Sequence, residues 1–207
     1  MDWQRIIYSL PGVLIGFTVH EYFHALVAYK LGDNTARDQG RLSLDPIKHI
    51  DPIGMLFIIF AGFGWAKPVQ FNPDALRNPK RDKALIAAAG PFSNFILGII
   101  FILIAKGILL IPVENTNTYD ALEYIFDILF YCAYTNFGLF VFNILPLPPL
   151  DGSHIFLSGL NLSTDTENKI MKFGTPILFI IFIIQSRSDF TILPISKIVN
   201  ALIELFI

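Results

Sequence analysis

With one cysteine in 207 residues, Cys132 has no partner for an internal disulfide, and its apolar neighbours mark it as a packing residue. Charge is scarce too. Asp, Glu, Lys and Arg make up 15% of the chain against 54% hydrophobic residues, and the mean hydropathy is +0.58. That balance excludes a disordered chain and an ordinary soluble domain alike. Neither sign of charge prevails: 15 Lys and Arg face 17 Asp and Glu, for a net charge of −2 and a pI near 6.0. The basic face that nucleic acid requires is missing, so nucleic acid is not an expected partner. No internal repeat or low-complexity tract interrupts the sequence. Residues 1–207 read as a single domain with no room for an appended soluble module.

What the chain does have is long apolar runs. Ile6–Tyr29, Asp82–Ile111 and Tyr124–Leu145 are each long enough to cross a bilayer. Met171–Gln185 is shorter, and Ile192–Ile207 is weaker still, so one or both span or lie at the interface. The first run exceeds a signal-peptide core and is expected to be retained. Pro52–Trp65 is too short for a straight spanning helix and contains Gly54, Gly62 and Gly64, which suits a re-entrant or strand-like segment sheltered by neighbouring helices. The expected fold is an α-helical polytopic integral membrane protein. It has four to five transmembrane helices and a short membrane-embedded re-entrant or β-strand segment.

Charge orients these runs. The loop Lys67–Lys83 holds Lys67, Arg77, Lys80, Arg81 and Lys83, whereas Pro112–Glu123 has no Lys or Arg. By the positive-inside rule the first loop is cytoplasmic and the second lies on the far side. Lys30, Arg37, Arg41 and Lys48 place the loop after the first run in the cytoplasm as well, with the amino terminus outside and only Arg5 against it. Two basic loops on one side mean that Pro52–Trp65 does not cross.

Inside the first run stands His20-Glu21-Tyr22-Phe23-His24. Histidines four apart on a helix share one face and can bind one zinc ion, while the glutamate beside them can take a proton from a water in the open coordination position. Ionisable groups in hydrocarbon are costly, so such a cluster marks a functional site. His20 lies about 9 residues before the inner end of its run, or about 13 Å deep.

A catalytic zinc usually has a third protein ligand. The best candidate lies in Asn143-Ile144-Leu145-Pro146-Leu147-Pro148-Pro149-Leu150-Asp151-Gly152. Its prolines end the preceding helix, and Asp151 follows the break, with Gly152 expected to ease a backbone turn. An ordinary Asp-Gly turn at the membrane surface is the alternative. His154 and His49 are competing ligands, each better suited to the interface. Asn143 and Asn94 are polar residues in apolar helices, where interhelical hydrogen bonding is common. Asn143 has a second reading, as an amide donor to the oxyanion of peptide hydrolysis, and for Asn94 packing or cavity lining is favoured. Gly12 and Gly16, at four-residue steps before His20 and His24, suit close helix packing.

Together these residues resemble the site-2 protease family of intramembrane zinc metalloproteases, in its small prokaryotic branch (peptidase family M50). His20–His24 corresponds to the family's His-Glu-x-x-His. Asn143, Pro146, Pro149, Asp151 and Gly152 match its Asn-x-x-Pro-x-x-Pro-x-Asp-Gly, and Gly90-Pro91-Phe92-Ser93-Asn94 resembles its Gly-Pro-x-x-Asn element. The resemblance covers residues 10–155 and implies His20, His24 and Asp151 as ligands of one zinc per chain, with Glu21 as general base. It implies a prokaryotic plasma-membrane enzyme whose site faces the cytoplasmic side and whose substrate is a transmembrane protein in the lipid bilayer. The chain departs from larger members in showing no helix before the histidine-bearing one and no PDZ or CBS module. A divalent-metal transporter using the same His/Asp cluster is the alternative function, and an inactive scaffold a third. Neither has a use for a water-activating carboxylate at position 21. The Gly-rich stretch 53–65 is expected to offer a strand edge to an unwound substrate.

Overall fold

The structure, a computed structural model, describes residues 3–61, 64–113, 115–160, 162–187 and 192–206; Gly62, one of the glycines of the candidate re-entrant segment, lies outside them. The chain forms α1 (Trp3–Lys30), α2 (Thr35–Asp38), α3 (Pro52–Ala61), α4 (Pro79–Ile108), α5 (Thr116–Asn143), α6 (Asp151–Ser158), α7 (Thr164–Arg187) and α8 (Ile195–Glu204). The long helices begin where the sequence supplies caps. Pro79 opens α4, where its missing N–H is no loss, and Asp82 reaches back to accept the Asn78 N–H at 2.9 Å. Asn115 accepts the Thr118 N–H at 2.9 Å and starts α5 eight residues before the apolar run.

Among the described residues three helices, rather than the expected four to five, are long and apolar enough to cross a membrane: α1, α4 and α5. The fold is thus the expected helical polytopic membrane protein. In α7 the opening turns carry Asp165, Glu167, Lys169 and Lys172, which confines its apolar stretch to the second half. The ten residues of α8 rise about 15 Å, half of a hydrocarbon core, so this helix does not span. It buries Val199 and Ile203 against Ile102, Ala133, Phe137 and Val141 of α4 and α5. Outward-facing Ile96, Ile100, Leu103 and Ile104 of α4 are each 45–55% exposed, an apolar face suited to lipid.

The strand alternative for Pro52–Trp65 does not hold. Among the described residues there are no strands, and Pro52–Ala61 is a helix because the Asp51 side chain accepts the N–H groups of Ile53 and Gly54 at 2.9 and 2.8 Å and nucleates its first turn. The segment nevertheless returns to where it started. Ile50 and Ala66 form an isolated antiparallel bridge, and the Lys67 N–H donates to the His49 carbonyl at 2.8 Å. Entrance and exit are neighbours, as in a re-entrant segment. The one bridge-forming residue on this side, Ala66, lies in the irregular stretch after α3, residues 65–72, rather than in 53–61.

At the centre, α1 packs between α4 and α5. A Cβ on Gly12 would lie 2.7 Å from Cys132 Cα, and one on Gly16 would lie 2.8 Å from Asn136 Oδ1, so both glycines serve close packing as expected. Cys132 is buried at that contact. Gly12→Leu is therefore expected to push α5 away, at a cost of about 1–3 kcal/mol or more. It should lower the thermal midpoint in detergent, whereas Gly107→Leu, with nothing within 4 Å of its Cβ position, leaves it unchanged.

Candidate metal centre

His20 and His24 stand one turn apart on α1, their rings nearly perpendicular with centroids 4.6 Å apart. Asp151 arrives from another element. The chain leaves α5 at Asn143, runs through Pro146, Pro148 and Pro149, and turns into α6, whose first residue is Asp151. Gly152 makes this approach possible by lacking a side chain. A Cβ there would lie 2.2 Å from the Ile144 carbonyl oxygen and 2.4 Å from that of Leu145. Its φ is not positive, so the expected turn is replaced by a steric requirement.

The three side chains converge. His20 Nε2 and His24 Nε2 are 3.0 Å apart, and Asp151 Oδ2 lies 3.1 Å from the first and 3.4 Å from the second. Ligand atoms held about 2.0–2.2 Å from one tetrahedral zinc sit about 3.3–3.6 Å from each other, so the spacing is close to that of such a site.

Hydrogen bonds on the far side of each ring orient the imidazoles. Asn94 Nδ2 donates to the Gly16 carbonyl at 3.0 Å and to Asn136 Oδ1 at 3.1 Å, so Asn94 Oδ1 faces His20 as an acceptor. His20 Nδ1, 2.6 Å from that oxygen, must carry the proton. His24 Nδ1 likewise donates, to the Ile86 carbonyl at 2.7 Å. With each Nδ1 holding its proton in this way, an imidazole in its neutral form turns the Nε2 lone pair toward the other ring and the Asp151 oxygen. In that form two imidazole nitrogens and a carboxylate oxygen face one point, a donor set that suits zinc. Among the described residues these three form the only such group of potential ligands. His49 is instead bound to the Ser43 carbonyl at 2.6 Å, and burial pushes the His154 imidazole below its ordinary pKa.

Glu21 is also buried, and its Oε2 accepts the Val69 N–H at 2.7 Å. Asn143 donates from its amide nitrogen to the Leu139 carbonyl at 3.0 Å, within its own helix. Asn94 does more than pack, since it fixes the His20 tautomer. Asn136, which the sequence reading passed over, continues the network by donating to the carbonyls of Gly12 at 3.2 Å and Cys132 at 2.9 Å. A polar residue at the centre of an apolar helix was the available signal. Gly90 marks where α4 crosses the centre, and a Cβ there would lie 2.4 Å from His24 Nε2 and 2.6 Å from His20 Nε2.

Residues 8–184 match the model of peptidase family M50. The chain is 44% identical over 153 residues to YwhC of Bacillus subtilis (strain 168), named as a zinc metalloprotease, over 72% of this chain and 67% of that protein. It is 24% identical to Rip2 of Mycolicibacterium smegmatis, over 76% of this chain and 59% of the relative. Identity to Rip2 of Mycobacterium tuberculosis (strain H37Rv) is 28%, over 69% of this chain and 53% of the relative. Both are named as zinc metalloproteases, and the chain spans little more than half of their length. No solved structure matches the chain significantly.

Gly90→Ala would set a methyl group against both Nε2 atoms. Zinc content of the purified protein, measured by plasma mass spectrometry, is expected to drop from about one per chain to a small fraction. Gly138→Ala, with nothing within 4 Å of its Cβ position, should leave it unchanged.

Proposed function

The chain belongs to peptidase family M50 and by that membership is a zinc metalloprotease, and from this premise we propose that it cleaves peptide bonds within or near transmembrane segments of membrane proteins. The observation that carries this reading is the place of the His-Glu-x-x-His cluster. It is buried in α1, a helix long and apolar enough to span, and packed against two others of the same kind. A site so placed meets substrates that share the bilayer.

His20, His24 and Asp151 hold the zinc, and their buried lone pairs support that assignment. Bound there, zinc polarises a peptide carbonyl and acidifies a water. The protein's own groups do the rest. Glu21, next to the ligand face and held through Oε2, takes the proton at its other carboxylate oxygen and returns it to the leaving amine. Asn94 and the Ile86 carbonyl keep both imidazoles in the tautomer that exposes Nε2. Asn143 ends α5 just before the Asp151 loop and retains a second amide N–H for the oxyanion. The substrate helix unwinds locally before cleavage, because a helical peptide bond is shielded and internally hydrogen-bonded.

The family supports a prokaryotic plasma-membrane enzyme, and the charge of the loops supports a site toward the cytoplasm. Impermeant thiol labelling of intact cells, in a Cys132→Ser background, tests this orientation. A cysteine at position 116 is expected to label and one at position 78 to stay protected, and the reverse pattern contradicts it.

The chemical reading is tested by Glu21→Gln. The variant keeps all three ligands and is expected to hold about one zinc per chain while cleavage of a single-span substrate falls about 10²–10⁴-fold or more. A metal transporter would keep its zinc flux in reconstituted vesicles. Undiminished proteolysis by zinc-loaded Glu21→Gln would refute the mechanism.

A further inference from the structure

On α1, Glu21 sits one residue past His20 and off the face that carries the two imidazoles, so the helix alone does not fix its carboxylate. Among the described residues its one hydrogen bond comes from the Val69 N–H, at 2.7 Å. Val69 lies in the irregular stretch 65–72, which has no helix or sheet of its own to hold it. Instead the segment after α1 grips that stretch on both sides of Val69. On one side the Lys67 N–H donates to the His49 carbonyl at 2.8 Å, and the Lys67 carbonyl accepts from Arg41 Nη2. On the other, the Asn72 N–H donates to Asp33 Oδ2 at 2.6 Å, while Thr35 N–H fixes the second oxygen of Asp33 at 2.9 Å.

The gripping residues are ones a protein seldom buries. Asp33 is 1%, Arg41 7% and His49 0% exposed. Arg41 Nε and His49 Nδ1 are buried without a hydrogen-bond partner. His49 donates through Nε2 to the Ser43 carbonyl, so its Nδ1 presents an unused lone pair. Arg41 and His49 both lie within electrostatic reach of the Glu21 carboxylate. A buried arginine and histidine left partly unsatisfied are costly, and packing gives no reason to keep them. The Arg41 side chain is attached to the 65–72 stretch, and the His49 ring, bound to the Ser43 carbonyl, fixes the backbone whose carbonyl holds Lys67.

We propose that the Val69 backbone N–H positions Glu21 for proton transfer, and that Arg41, His49 and Asp33 are positioning residues that hold Val69 in place. Fixing Oε2 restricts the carboxylate and leaves Oε1 as the oxygen without a hydrogen bond among the described residues, and a carboxylate displaced by about 1 Å loses on the order of 10²-fold in rate. This rests on Glu21 being the general base.

The test compares zinc-loaded, full-length variants on a single-span substrate in detergent, measuring kcat, KM, zinc content and thermal midpoint. Val69→Pro removes the N–H, and Val69→Ala keeps it. Val69→Pro is expected to lower kcat about 10–100-fold with KM within about twofold and zinc near one per chain, while Val69→Ala stays close to wild type. Arg41→Gln, acting from a different segment, should show the same kcat-only loss, with partial recovery in Arg41→Lys. In a Glu21→Gln background Val69→Pro should cause no further loss. Full kcat in Val69→Pro or Arg41→Gln overturns the proposal. So does a rise in KM with kcat kept, which would make the stretch a substrate-docking edge. Loss of zinc or fold in both variants also overturns it, by making the stretch part of the scaffold; if only one fails to fold, the other decides. Active Glu21→Gln instead refutes the general-base reading, whatever Val69→Pro does.

Discussion

Three lone-pair-bearing atoms meet in the apolar interior of this protein, and the rest of the structure exists to keep them together. Two imidazole nitrogens and a carboxylate oxygen, 3.0–3.4 Å apart, repel one another when both rings are neutral and nothing positive lies between them. A zinc ion between them would satisfy all three at once. The helix packing must then supply what a flexible loop could not, namely rings held in one tautomer and backbones close enough to converge. Gly90 and Gly152 provide the approach, since a single methyl group at either would collide with an imidazole or with the α5–α6 turn.

The means of support differs from that of a soluble enzyme. In lipid there is no hydrophobic gain from packing one apolar helix on another, so close contact and buried amides hold the bundle. Asn136 bonds to the carbonyls of Gly12 and Cys132, Asn94 bonds to Asn136 and to the Gly16 carbonyl, and His20 bonds to Asn94. One continuous network thus joins α1, α4 and α5 and ends on a metal-facing ring. Packing and chemistry share the same residues, and a change at Asn136 reaches the site without touching it.

Much of this was legible in the chain. The His20–His24 spacing and the Pro146–Asp151 break announced two parts of the centre, because ligand spacing on a helix and proline's missing N–H are local properties. The three longest apolar runs became α1, α4 and α5 for the same reason. Less was legible where the cause is tertiary. The Pro52–Ala61 segment is a helix because Asp51 caps it, while its glycines and short length pointed equally to a strand. Gly152 reads as a turn residue in the dipeptide Asp-Gly, yet its role is contact with carbonyls seven and eight residues away. The partner of Glu21, a backbone N–H 48 residues along the chain, has no sequence signature at all.

Zinc K-edge absorption spectroscopy on the purified, zinc-loaded protein tests the central claim most directly. The expected spectrum shows two imidazole ligands plus oxygen at about 2.0–2.2 Å and no sulfur, with loss of one oxygen scatterer or of the metal in Asp151→Ala. Fewer than two imidazoles, or a spectrum that Asp151→Ala leaves unchanged, would contradict it.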